Sequence, residues 1–483
     1  MAAVAAVTGS RRWASLTAPW RGYPSAAVMV ARTPADRDRV VDLVRGVSLL
    51  VVLFGHSFMA MVVFGGSGAE LSNTLAQTPV LQPATWVLQI MPLFFAAGAW
   101  VNALSYRHAN SYPVWLSARV RRLLRPVIPY VGFWILVSPL LLAWNKDVTL
   151  PLLRISTQLL WFLGAYLLVT TLTPLLVLFS GHPVLASLGW LAAAAAADVS
   201  DLAGAAPGLR LLNFVLVWAL AGQTGLWMFS TARRPTRGQA LAVAVGCAAA
   251  NALLVRFGPW PVSLVGLPGE EISNMAPPSV VMALHSLTLA ALVVVLYPAL
   301  ARLAARALVW RAAAVVNAAA MSIYLWHLVG MIFAMLTLRV LSLNLVGYST
   351  PGWVVPRLTF WAMFFVYTFG LVWVVRPSEH MPLPWWDSTP VHSPTSWLPY
   401  RLRATFSVAG SVIVAVALLA LSVTGLVGFP FNSSTNYASF TFTPGLAIGV
   451  TLLGMVLVRT AAVGPLRHGP SISERGAECA PTP

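Results

Sequence analysis

Residues 41–56 read VDLVRGVSLLVVLFGH, an apolar segment that contains one arginine and one histidine. At ~3.6 residues per helical turn, Arg45 and His56 lie on one face of a helix, roughly 16 Å apart along its axis. This predicts an arginine near one membrane surface and a histidine near the middle of the bilayer, where a titratable side chain indicates a functional site. Two simpler explanations stay open: Arg45 is a surface anchor that pairs with Asp42, and His56 is an interhelical hydrogen-bonding residue.

The composition of the whole chain indicates a membrane protein. Of the 483 residues, 58% are hydrophobic and 9% are charged, and the mean hydropathy is +0.79. In soluble proteins about a quarter of the residues are charged, so we predict an all-α polytopic membrane protein. Apolar windows of ~20 residues indicate about twelve transmembrane helices. They are expected near residues 42–64, 86–105, 127–144, 158–178, 183–200, 210–229, 239–256, 279–301, 312–338, 356–375, 405–428 and 441–458.

The distribution of charge predicts the orientation of the chain. Arginine clusters such as those in 119–125 and 233–237 follow even-numbered spans, and the loops on the opposite side are poor in basic residues. Under the positive-inside rule, both termini are then cytoplasmic and the protein is a multi-pass protein of the cell membrane. The net charge of +17 does not indicate nucleic acid binding, because the basic residues form short clusters between apolar segments. Such clusters suit the lipid bilayer or an anionic ligand at its surface.

The segments outside the main apolar block have their own character. Residues 1–36 are predicted to be a disordered, basic cytoplasmic N-terminus, 376–404 a Pro- and Trp-rich cytoplasmic loop, 405–458 two C-terminal helices, and 459–483 a cytoplasmic tail. The two cysteines, Cys247 and Cys479, stand in no metal-ligand spacing. We therefore predict neither a metal site nor a permanently bound cofactor.

A second arginine motif precedes the third span, where residues 119–126 read RVRRLLRP. Arg122 and Arg125 are three residues apart and point the same way on a helix. Guanidinium pairs bind phosphates bidentately, so the motif predicts a site for phosphate or pyrophosphate. A topology signal or a contact with anionic lipid explains the same arginines equally well.

The ninth span contains a run of polar side chains, because residues 321–327 read MSIYLWH. Ser322, Tyr324 and His327 bring a hydroxyl, a phenol and an imidazole into an otherwise apolar helix. The pattern is typical of a polar wall inside a helical bundle, although interhelical packing alone also accounts for it.

Together these segments resemble the membrane-bound acyltransferase 3 family over residues 37–375. Arg45 and His56, with ten residues between them, are similar to the motif of that family's first helix, and Arg122 with Arg125 is similar to its Arg-x-x-Arg motif. Further similar segments are Met91–Gly98, with Ala97 where serine is common, Trp161–Leu163, Asn274–Pro278 and Ser322–His327. The resemblance implies a core of ten transmembrane helices, to which this chain adds the two helices of 405–458.

The resemblance also implies a reaction. The family transfers an acyl group, commonly acetyl, from cytoplasmic acyl-CoA as donor substrate to a hydroxyl of a sugar, a glycolipid or a secondary metabolite. Arg122 and Arg125 would bind the coenzyme A phosphates, and Arg45 would position the thioester arm. His56 would act as general base or as a transient acyl carrier. The acceptor side would be lined by Ser322, Tyr324 and His327.

A proton-coupled secondary transporter is the alternative function. Twelve spans, two cytoplasmic termini and histidines inside the membrane are also typical of that class. However, the predicted interior carries almost no acidic residue, and the arginine and histidine positions follow the acyltransferase pattern. The sequence therefore favours the enzyme.

Overall fold

The computed structural model describes residues 37–65, 68–380, 383–387, 398–426, 435–437 and 440–462. Within these residues, 12 helical segments are long and apolar enough to cross a membrane, and the strands are short. The prediction of an all-α polytopic membrane protein with about twelve spans is confirmed. The predicted N-terminal segment 1–36 and the tail beyond 462 lie outside the described residues.

The helices and strands form a single bundle, in which most connections are short. In chain order they are α1 Arg39–Met59, β1 Ala60–Gly65, β2 Gly68–Asn73, α2 Thr74–Gln77, α3 Thr85–Leu88, α4 Met91–Arg107, α5 Tyr112–Leu124, α6 Val127–Trp144, α7 Lys146–Ile155, α8 Leu160–Thr171, α9 Thr173–Phe179, α10 Pro183–Leu202, α11 Asn213–Met228, α12 Arg237–Phe257, α13 Val280–Ala305, α14 Ala307–Ala318, α15 Ala320–Val340, α16 Val354–Val375, α17 Pro384–Asp387, α18 Tyr400–Thr424, β3 Thr435–Tyr437, β4 Phe440–Phe442 and α19 Pro444–Ala462.

Helix α1 is shorter than the sequence predicts. Asp38 caps its start by accepting hydrogen bonds from the backbone N–H groups of Val40 and Val41. The predicted span continued to residue 64, but the helix ends at Met59 and residues 60–65 form strand β1, which pairs antiparallel with β2. A short apolar run fits a buried strand as well as a helix, so hydropathy alone does not separate the two. His56 consequently lies in the last turn of α1 rather than near its middle.

The predicted ninth span, 312–338, is two helices rather than one. Helices α14 and α15 are separated at Ala319. Just before this break, the Asn317 side chain donates to the backbone carbonyls of Asp42 on α1 and of Ala313. An asparagine that bonds to nearby backbone competes with regular helix, which explains why one apolar window contains two elements.

The two C-terminal helices pack on each other and on the core at glycines. A Cβ atom at Gly410 of α18 would lie 2.7 Å from the carbonyl oxygen of Gly454 on α19, so only glycine allows this approach. Gly164 of α8 meets the carbonyl of Ala415 in the same way, at 2.6 Å. Helix α18 begins at Tyr400, so the last residues of the predicted 376–404 loop are helical, and α19 continues to Ala462, beyond the predicted end at 458.

A buried ion pair organises the long connection between α12 and α13. Asp198, near the end of the predicted span 183–200, is fully buried and accepts a hydrogen bond from Arg210 at 2.6 Å. The same carboxylate accepts from the Trp260 indole and from the backbone N–H of Val280. These bonds hold the connection, whose residues Val265, Gly266 and Met275 line a cavity inside the bundle.

Candidate active site

The structure brings two predicted site residues into direct contact. Nδ1 of His56, on α1, lies 2.9 Å from Nε2 of His327, on α15, and the two rings are nearly parallel, with an interplanar angle of 9°. His327 is fully buried, whereas His56 is half-buried. The sequence places His327 beside Tyr324 on the acceptor side. The structure places it against the other histidine.

The hydrogen bonds around His327 determine where the protons of the neutral pair lie. Nδ1 of His327 is 3.1 Å from the carbonyl oxygen of Ile323, and a carbonyl only accepts, so this nitrogen donates. Nε2 of the neutral His327 ring is then an acceptor, and Nδ1 of His56 donates to it. Nε2 of His56 is therefore left without a proton. In this tautomer His56 has the form that a general base needs.

His56 borders a cavity of about 270 Å³. Residues of α1, both strands of the first hairpin, α3 and α15 form its wall, together with the segments 158–161 and 265–275. Tyr324 borders this cavity and donates a hydrogen bond to the carbonyl of Leu159 at 2.8 Å. Ser322 is fully buried, and it is not among the residues that line the cavity. Of the three residues predicted for the acceptor side, Tyr324 alone borders this space.

Arg357 is a buried arginine that the sequence analysis missed. It lies on α16 and is fully buried, and it donates to the carbonyls of Ser57 and Ala60 at 3.3 and 2.8 Å, which tie it to the end of α1 just after His56. It also donates to the carbonyl of Val346 and lies over the Tyr348 ring. The signal for it was a charged residue inside a predicted apolar span.

Arg45 has no carboxylate partner among the described residues. Asp42, the partner considered for it, instead forms a bidentate pair with Arg37, and this hydrogen bond raises the pKa of the Arg37 guanidinium. The Arg45 guanidinium lies 5.7 Å from the centre of the Phe94 ring, and its Nε atom is buried without a hydrogen bond. The simple explanation of Arg45 through Asp42 is therefore wrong, and Arg45 keeps an unsatisfied donor inside the bundle.

A second cavity, of about 600 Å³, lies where α5 meets α6 and α15 begins. Arg121, Arg122 and Arg125 line it, and Arg122 is exposed. Arg125 is not a free phosphate ligand, because it forms an ion pair with Asp387 of α17, which lines the same cavity. Arg121 bonds to the backbone of Trp386 beside it. The sequence offers no signal for the contact between Arg125 and Asp387, which are 262 residues apart.

The two cavities lie on successive turns of one helix. Met321 of α15 borders the arginine-lined cavity, and Tyr324 borders the cavity at His56. Three residues of a helix rise ~4.5 Å, so the residues of α15 that border the two spaces lie about one turn apart. Arg45 borders neither space, and both Arg45 and Arg122 lie close enough to Arg119 for electrostatic repulsion with it.

The comparison with protein families gives the site its context. A family model described as an acyltransferase domain matches residues 38–376, which is well over half of the chain. Searches of curated proteins and of solved structures returned no match. The matched segment contains the histidine pair at the first cavity and the arginines of the second, although Asp387 and the last two helices lie beyond it. The chain is therefore a membrane acyltransferase that belongs to the acyltransferase 3 family.

Proposed function

We propose that the protein transfers an acyl group, acetyl in the simplest case, from cytoplasmic acyl-CoA to a hydroxyl that enters the cavity at His56. The observation that carries this proposal is the hydrogen-bonded chain from Ile323 through His327 to His56. This chain leaves an unprotonated Nε2 on the one histidine of the pair that borders the cavity.

His56 acts as general base in this reaction. Its Nε2 takes the proton of the acceptor hydroxyl while the oxygen attacks the thioester carbonyl. The carbon–sulfur bond then breaks, the imidazolium returns the proton to the leaving thiolate, and the products are an ester and free coenzyme A. The imidazolium is stabilised because its Nδ1–H already donates to His327, so no side chain has to move.

The arginine-lined cavity binds the phosphates of the donor. Arg122 and Arg125 face the same space, and guanidinium groups bind phosphate oxygens in bidentate fashion. Because Arg45 and His56 are roughly 16 Å apart on one helix, they do not contact the same carbonyl group. Arg45 therefore contacts the donor away from its thioester, and its buried Nε supplies a hydrogen-bond donor for the pantetheine arm.

The donor side of the protein is cytoplasmic in this proposal. The arginine-lined cavity belongs to the side of the chain that carries most arginine clusters, which the positive-inside rule assigns to the cytoplasm of the cell. Both termini are on that side. His56, in the last turn of α1, is then on the side of the bundle that faces away from the donor.

Replacement of the base tests the proposal. We expect His56→Ala to lower transfer from radiolabelled acetyl-CoA into lipids and envelope glycans by about a hundredfold or more, the usual contribution of a general base. His182→Ala is the matched control, because His182 is exposed and lines neither cavity. Both variants should reach the membrane in equal amounts, and mass spectrometry of the same extracts should reveal the acylated product.

Near-normal transfer by purified His56→Ala protein would contradict the assignment of the base. Counterflow of a substrate through liposomes that contain the protein but no acyl-CoA would favour the transporter instead. A coenzyme A thioester that is consumed only when His56 is present would support acyl transfer over export.

A further inference from the structure

Methionines form much of the wall of the cavity at His56. Six of the 14 methionines in the chain border it. They are Met59, Met61, Met91, Met275, Met331 and Met335. Methionine is flexible and polarizable, so a surface made from it adapts to irregular apolar ligands. The end of α1, the first hairpin, the start of α4, the segment before α13 and two turns of α15 all contribute to this surface, so it is a property of the cavity and not of one helix.

Within the part of the chain that the structure describes, the same wall carries no aspartate, glutamate, lysine or arginine. Several of its polar side chains are already hydrogen-bonded to the protein. Asn73 caps α2, Thr85 bonds to Gln82 and to the backbone N–H of Leu264, and Gln89 donates to the carbonyl of Leu264. Ser72 and Gln158 also line the cavity, but two such side chains do not supply partners for every hydroxyl of an enclosed polyhydroxylated ring, and a buried hydroxyl without a partner is unfavourable.

We propose that the acceptor is a predominantly apolar alcohol, with a single hydroxyl on a hydrocarbon skeleton, and not a free sugar. This inference rests on the proposed function and names the acceptor for it. The hydroxyl meets Nε2 of His56, and the skeleton packs against the methionines. A volume of about 270 Å³ corresponds to roughly nine water molecules in the liquid, so the cavity takes the part of the acceptor around its hydroxyl.

Gly55 makes the cavity accessible to a clean substitution. It is buried next to His56, it borders the cavity, and a Cβ atom added there would meet no other atom within 4 Å. A larger side chain at this position therefore grows into the cavity. Gly246 of α12 is the matched control, because a Cβ there also meets nothing within 4 Å but the position is exposed on the outside of the bundle.

Photolabelling in nanodiscs tests the proposal without requiring catalysis. The probe is a dodecanol that carries a diazirine, and the readout is labelling of peptides that contain Met59, Met61 or Met331. We expect excess dodecanol to block the labelling and methyl glucoside to leave it unchanged. Gly55→Leu should lower the labelling by about tenfold or more, the discrimination expected of a filled apolar pocket, Gly55→Ala should lower it less, and Gly246→Leu should not change it.

Labelling that methyl glucoside blocks, or that Gly55→Leu leaves unchanged, would overturn the proposal. The result separates from the proposed function when acetyl transfer is measured on the same preparations. Specific labelling without transfer from acetyl-CoA would uphold the apolar cavity and contradict the function. Transfer to methyl glucoside without specific labelling would do the reverse.

Discussion

The two cavities differ in nearly every property except the helix that they share. The larger, of about 600 Å³, is lined by three arginines and an aspartate. The smaller, of about 270 Å³, is lined by His56 and, among the described residues, by no aspartate, glutamate, lysine or arginine. Charged side chains are costly inside a membrane and are retained where they act. The difference teaches how one helix can serve two tasks: on the proposed function, recognition of the anionic donor and proton transfer at His56 occur in separate spaces, and residues about one turn apart on α15 border them.

The first prediction concerns His327, the hydrogen-bonding partner of the base. We expect the largest effect here, because loss of this residue affects the chemical step in the smaller cavity. We expect His327→Ala to lower kcat by about a hundredfold, since His56 would no longer be held in the tautomer with a free Nε2. The KM for acetyl-CoA should change little. His327→Gln should recover part of the loss, because a glutamine oxygen accepts the same hydrogen bond. Steady-state kinetics of the three proteins check this prediction.

A purely structural role of His327 would give a different pattern. Both substitutions would then lower the amount of folded protein, and the glutamine would give no selective recovery of kcat. Equal kcat in His327→Ala and the unchanged protein would show that the histidine pair has no part in proton transfer.

The second prediction concerns the larger cavity alone. Arg122→Ala combined with Arg125→Ala should raise the KM for acetyl-CoA by about tenfold, because two charge-assisted hydrogen bonds to phosphate are lost, while kcat at saturation is kept. Arg302→Ala with Arg306→Ala removes the same charge from exposed positions outside both cavities and should have little effect. Unchanged donor binding in calorimetry would reduce Arg122 and Arg125 to topology signals.

The smallest effect should have the opposite sign. Asp387 pairs with Arg125 and competes with an incoming phosphate for it. Both partners are partly exposed, so the pair contributes at most about 1 kcal/mol, and Asp387→Asn should tighten acetyl-CoA binding by a few fold. Calorimetry on the variant checks the direction. Weaker binding in Asp387→Asn would mean that the aspartate orients Arg125 for the donor rather than blocking it.

Local patterns predicted what depends on local sequence. The number of spans followed from apolar windows. Helical spacing placed Arg45 and His56 on one helix, but not His56 in its last turn, because hydropathy does not show where α1 ends. The contact between His56 and His327 joins residues 271 positions apart, so no periodicity contains it. The sequence placed both histidines on spans of the bundle, and their pairing depends on how α1 packs against α15.

The missed features have physical causes as well. Hydropathy does not distinguish a buried hairpin from the end of a helix, so the predicted first span includes residues 60–64, which belong to β1. Arg357 does not stand out in the sequence because a window average tolerates one charge among apolar residues, although its guanidinium donates to the backbone carbonyls of Ser57, Ala60 and Val346. Contacts of this kind depend on the folded chain, and composition carries no trace of them.

Helix α1 has a consequence for the choice of donor. It contains no proline between Arg45 and His56, Asn317 of α14 donates to the Asp42 carbonyl near one end, and Arg357 donates to the Ala60 carbonyl just beyond the other. On the proposed function, the fixed length of this helix sets the distance between the thioester and the phosphates of the donor. It does not select the acyl group that the thioester carries. A thioester on a truncated arm without the nucleotide has the same reactive carbonyl, but it should lose kcat as well as affinity, because remote binding energy holds the reacting carbon in place.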